Sequence, residues 1–166
     1  MTDRKTTLPA GASLRALALA AVLFLCPGFS WAQPSPLETV QELGLIGTWS
    51  ASCYLGASET NWFVVYYATR KGKLRRRAER GGSAASLDGA VDSAKLLDRN
   101  RVRLRLRNDD ENWGPANGQQ YEAVIDLSGG KLRTVSSINS AGEELVRNGR
   151  LVATDVPFPT LQRCNR

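Results

Sequence analysis

The chain has 166 residues, with 22 lysines and arginines against 16 aspartates and glutamates, a formal net charge of +6, and no histidine. The missing imidazole excludes His-based catalytic triads, the usual general base near neutral pH and imidazole metal sites. What is left is the length of a single domain with one core.

Residues 1–32 read as a cleavable secretory signal peptide. Arg4, Lys5 and Arg15 form a basic region, an uncharged apolar run extends from Ala16 to Leu25, and Cys26-Pro27-Gly28 breaks it. That run is shorter than the ~20 apolar residues a membrane span requires. Ser30 and Ala32 supply the small residues a signal peptidase needs, which places the cut after Ala32. Lipidation at Cys26 is the alternative, but Leu25 stands where a lipoprotein carries a small residue. No later stretch is apolar for long enough to span a bilayer. The expected product is periplasmic or secreted. Residues 33–46 form its leader and a short helix, and 47–166 its folded domain. Loss of Asp3, Arg4, Lys5 and Arg15 leaves only a mild positive excess, which says little about partners.

Cys53 and Cys164 survive processing and enter an oxidising compartment, so one disulfide is expected, with two free buried thiols as the alternative. By chain entropy, closing so long a loop stabilises the fold by about 4 to 5 kcal/mol.

After the proline-bearing leader, Leu37, Val40 and Leu43 repeat at helical spacing with glutamates between them, predicting a short amphipathic helix ended by Gly44. The period then changes to two. Strands are expected at 47–55, 62–69, 73–79, 89–97, 101–107, 119–127, 131–138 and 143–151. The clearest is 101–107, where Val102, Leu104 and Leu106 share one face and arginines the other. On 131–138, Leu132, Thr134, Ser136 and Ile138 are expected to face inward together. Pro157 and Pro159 exclude a regular strand before Cys164. About eight strands in sequential hairpins predict an all-β fold, an up-and-down antiparallel barrel, with a sandwich as the alternative. A Cys53–Cys164 bond would brace the seam of such a barrel.

Gly47-Thr48-Trp49, at the start of the first strand and directly after a short helix, resembles the Gly-x-Trp signature of the lipocalin and calycin barrels. The resemblance implies that Gly47 and Trp49 sit at the closed end of the barrel beneath a basic residue from near the last strand, Arg150 or Arg163. Lipocalins carry a helix after that strand and this chain has a proline-bearing tail, so a shorter calycin is closer. In size, export, signature and single disulfide it is similar to the bacterial periplasmic metalloprotease inhibitors, though its cysteines are placed differently. The span through Cys53, Ser58 and Asn61 with a terminal Arg163-Cys164 also resembles a group of uncharacterised exported proteobacterial proteins, which brings no function with it.

No catalytic residue and no metal or cofactor site emerges from the sequence. Ser128-Gly129-Gly130-Lys131 spells Ser-x-x-Lys, but as a hairpin turn rather than the opening of a helix. Asp109-Asp110-Glu111-Asn112 lacks the alternating ligands and central glycine of a calcium loop, and Glu122 and Asp126 read as surface charges. Seven basic residues fall between Arg70 and Arg80. Together, Arg75, Arg77, Arg101, Arg103, Arg105 and Arg107 would make a cationic patch if their strands lie near one another. Outside the cytoplasm its partners would be anionic envelope lipids or glycans, not nucleic acid; the alternative is a solvated face. Tyr54, Trp62, Phe63, Tyr66, Tyr67, Trp113 and Tyr121 would line a cavity or fill a core; of these, Trp62, Tyr66 and Tyr121 are the expected ligand contacts. The expectation is an exported binding protein, not an enzyme, holding a small apolar or amphipathic ligand. A protein-binding module such as a protease inhibitor, acting through its leader, residues 33–36, and its loop ends, is the alternative, and an envelope-associated structural protein a further one.

Overall fold

The computed structural model describes residues 33–58, 60–79, 81, 87–109 and 117–165. The expected signal peptide, most of the acidic cluster at 109–112 and Trp113 lie outside the described residues. From Pro34 onward the chain forms one compact unit.

That unit opens on helix α1, Pro36–Glu42. Ser35 Oγ accepts from the Glu38 amide at 3.2 Å, and the Glu38 carboxylate accepts from the Ser35 amide at 2.7 Å, a reciprocal cap. Pro36 costs nothing in the first turn, where its missing N–H would have had no helical partner. Gly44, at φ +75°, lets the chain leave the helix in a conformation other residues resist.

Ten strands follow: β1 (Gly47–Ser50), β2 (Phe63–Ala68), β3 (Leu74–Glu79), β4 (Leu87–Leu96), β5 (Arg101–Asn108), β6 (Gln120–Asp126), β7 (Lys131–Asn139), β8 (Glu144–Arg147), β9 (Arg150–Leu151) and β10 (Leu161–Cys164). β1 to β7 pair antiparallel in sequence order, and β10 pairs with both β7 and β1, so eight strands close a barrel. Leu161 stands opposite Leu132 on one side of this closing strand and Cys164 opposite Thr48 on the other.

Three sequence expectations are corrected here. A strand does follow Pro157 and Pro159: the prolines end before β10, whose own N–H groups are all free to pair, and it is this strand that shuts the barrel. The segment 143–151 is a hairpin, β8 and β9, turned at Asn148 (φ +51°) and Gly149 (φ +74°), the residue pair that tight hairpin turns favour. The strand expected at 47–55 stops at Ser50, because the chain curls around Asn61. Asn61 is 4% exposed. Its Oδ1 accepts from Ser50 Oγ at 2.9 Å and from the Ser52 amide at 2.8 Å, and its Nδ2 donates to the carbonyls of Ser52, Leu55 and Gly56. One buried amide thus supplies the partners that a continued strand would have supplied.

The Cys53–Cys164 disulfide is formed, with Cα atoms 5.4 Å apart and a sequence separation of 111. It ties the loop after β1 to the closing strand.

Strand parity sets the interior. Val102, Leu104 and Leu106 of β5 are buried, while Arg101, Arg103 and Arg105 alternate outward. At the helical end the barrel is filled: Val40 and Leu45 pack with Trp49, Leu74, Val91, Val102 and Leu104 in one buried cluster. Burying each of the larger side chains stabilises the fold by about 1.5–3 kcal/mol.

A bulge between β6 and β7 changes the parity of β7. Val124 pairs with Ser136 and Ile125 with Thr134, leaving Val135 as the extra residue. Beyond it every side chain changes face. Ser137 is buried and Ile138 is 39% exposed, so Ser137, not Ser136, joins Thr134 on the inside.

Candidate functional site

The opposite half of the barrel is hollow. A cavity of about 320 Å³ lies among β2, β3, β5, β6, β7, the β8–β9 hairpin and the approach to β10. Val64, Leu106, Ala123, Ile125, Leu132 and Leu161 give it an apolar wall, and Phe158 adds an aromatic face. Asn108, Gln119 and Asn139 border it where the strands give way to loops. Its volume falls at the lower end of the range for small-molecule sites.

Trp62, Tyr66 and Tyr121 all line this cavity. Tyr66 reaches it because β2 alternates, sending Val64 and Tyr66 inward and Tyr67 outward, where its phenol donates to Asp88 at 2.6 Å. Tyr54 does not join them. It stands 95% exposed, at odds with a lining role, because the loop held by Asn61 carries it outside the barrel. Neither Phe63 nor Tyr67 is among the lining residues.

The cavity also holds a charge that the sequence reading passed over. Arg76 lines it, between Leu74 and Ala78 on the inward face of β3. One guanidinium nitrogen donates to the Tyr121 phenol oxygen at 2.9 Å. Burial pushes the Tyr66 phenol up to about 12 against the opposing pull of Arg76. Among the described residues no carboxylate lies within ion-pair distance of Arg76, and none lines the cavity. Parity is the signal that would have found it: in the basic run 70–80, Arg76 is the member that shares a face with two buried apolar residues.

The six arginines of the expected cationic patch lie outside and each faces an acid. Arg75 holds Asp88 and, with two nitrogens, Asp109 at 2.7 and 3.0 Å; burial opposes its charge, but these carboxylates outweigh that and raise its pKa. Arg77 meets Glu79, Arg101 meets Asp98, Arg107 meets Asp92, and Arg103 and Arg105 share Glu122. Arg77 also lies over the Tyr67 ring, 5.7 Å from its centroid. The row is therefore a charge-interleaved wall and not an unbroken cationic patch. Exposed pairs of this kind contribute little stability each, at most about 1 kcal/mol.

At the filled end, Gly47, Trp49 and Arg163 come together. The Arg163 guanidinium sits 5.9 Å from the Trp49 ring centroid and donates to the Ile46 carbonyl at 2.8 Å. Arg150 instead pairs with Asp155. Trp49 Nε1 donates to the Leu45 carbonyl at 2.9 Å, so its one polar atom is satisfied in the core. Ser128 to Gly130 form a single 3₁₀ turn, with the Ser128 amide bound to Asp126 at 2.7 Å, an arrangement unlike a catalytic Ser-x-x-Lys helix.

Among the described residues there is no group of three or more cysteines, aspartates or glutamates placed to hold a metal ion, and no helix long and apolar enough to cross a membrane. Comparison with family models, curated proteins and solved structures finds no match to this chain.

Proposed function

We propose that this is an exported, non-enzymatic binding protein that holds a small amphipathic ligand inside its barrel. The hollow carries the proposal: eight strands this short could have filled their interior, as they do at the helical end, yet about 320 Å³ beside Tyr66 and Tyr121 is left unfilled. An unfilled apolar volume forfeits packing contacts, so a ligand that restores them gains the corresponding free energy. The disulfide supports export, because such bonds persist in oxidising compartments. The likeness of Gly47-Thr48-Trp49 to the calycin signature points to the same kind of barrel.

Native mass spectrometry of the chain purified after export tests this reading. The expected result is a mass excess of one small molecule that is lost on denaturation and absent from Ala123→Phe, whose ring would occupy the cavity. No excess, and no uptake of added amphiphiles, would contradict it.

One observation favours a second reading, a protein-binding module. Tyr54 and Leu55 are exposed on a loop that Asn61 and the disulfide hold rigid, an apolar tip of the sort protein partners bury. The leader contributes less than its sequence suggests, since Ser35 and Pro36 are committed to capping α1. A Tyr54→Ser, Leu55→Ser double variant that keeps its ligand but loses a protein partner would establish this role.

A further inference from the structure

Arg76 is a permanent cation facing an apolar cavity and, among the described residues, has no acid of its own. A charge in that position is costly unless it is hydrogen-bonded and balanced. Tyr121 provides the hydrogen bond by accepting at 2.9 Å, and in doing so leaves its own O–H free to donate elsewhere. The Tyr66 phenol, held protonated by its burial, is a third donor beside the same guanidinium. Among the described residues, no negative charge joins the cluster.

We infer that the cavity selects a monocarboxylate whose head group docks on Arg76, Tyr121 and Tyr66 and whose apolar tail lies against Val64, Leu106 and Ile125. This inference rests on the barrel being a ligand-binding protein and names the chemistry of its ligand. One guanidinium balances one negative charge, and its fork matches a carboxylate bidentately. A dianionic phosphate would bring a second charge that no lining residue among those described offsets. Size follows from volume: at the roughly 30 Å³ that one water-sized heavy atom occupies in a liquid, about 320 Å³ holds about eleven non-hydrogen atoms, close to the length of decanoate. The anion would also explain why β3 carries an arginine on its inward face at all. With a bound carboxylate, Arg76 completes a charge pair that no described residue supplies.

Calorimetric titration of the delipidated protein with decanoate, decanol and decyl phosphate tests this. Decanoate should bind about 10- to 100-fold more tightly than decanol, as a charge-assisted pair requires, and more tightly than decyl phosphate. Arg76→Gln should abolish the preference over decanol, and Arg76→Lys, which keeps the charge but not the fork, should retain part of it. Circular dichroism checks that each variant folds, and should Arg76→Gln fail to fold, the head-group preference of the unmodified protein decides. Equal binding of decanoate and decanol, or a preference that survives Arg76→Gln, would overturn the carboxylate assignment while leaving a ligand-binding barrel. Tighter binding of decyl phosphate would overturn the single-charge argument. Binding of none of the three would overturn both.

Discussion

Arg163 lies over the Trp49 ring at 5.9 Å and donates to the carbonyl of Ile46, so the closing strand grips the first strand through a side chain as well as through its backbone. Gly47 makes the grip geometrically admissible. At φ +135° it holds a conformation other residues resist, and a Cβ there would stand 3.3 Å from Arg163 Nε.

Trp49→Ala should therefore cost about 3–5 kcal/mol, since it removes a buried indole. Arg163→Met should cost about 1 kcal/mol, the worth of one exposed cation–π contact with its hydrogen bond. Gly47→Ala should cost about 1–3 kcal/mol from backbone strain. Urea denaturation of the three variants checks the order, and a Trp49/Arg163 double-mutant cycle showing no coupling would deny the contact its energetic role.

The disulfide fastens the same seam from the other side. Replacing Cys53 and Cys164 together by serine should lower stability by up to about 4 to 5 kcal/mol, because the bond closes a loop of 111 residues in the unfolded chain. Guanidinium denaturation under oxidising and reducing conditions gives the comparison. A change below about 1 kcal/mol would mean that the β1–β10–β7 pairing holds the seam unaided.

Alkaline pH should destabilise the protein through Tyr66. Its phenol is raised from 10.0 to about 12 in the fold, with burial the larger cause. Above pH 10 the unfolded chain therefore releases a proton that the folded chain keeps until about 12, and stability falls across that window. The loss from this group is about 3 kcal/mol when complete. Tyr66→Phe should flatten the decline between pH 10 and 12, read from chemical denaturation at each pH. An unchanged slope would mean that Tyr66 does not titrate as a buried phenol.

The barrel was legible because hydrophobic alternation is plain in Val102, Leu104 and Leu106 of β5, and because sequential hairpins leave few ways to hide the edges. The closing strand was not, since four residues between a proline-bearing stretch and the chain end carry too little pattern to read. Nor was the face change in β7: a bulge at Val135 costs one residue of register and leaves no compositional mark. At the site, Trp62, Tyr66 and Tyr121 were candidates by aromatic composition, whereas Arg76 was submerged in a basic run whose other described members lie outside the cavity. The row of arginines on β5 showed its charge in sequence but not its neutralisation, because Glu122 and Asp92 come from adjacent strands.

Methyl-resolved nuclear magnetic resonance during titration with decanoate reports whether a ligand enters the hollow half of this barrel. Entry should shift Val64, Leu106, Ile125 and Leu132, which line the cavity, with little change at Val40, Leu45 and Val102 in the filled half. Shifts confined to the exposed Leu55, Val152 and Val156, or spread equally over both halves, would contradict it.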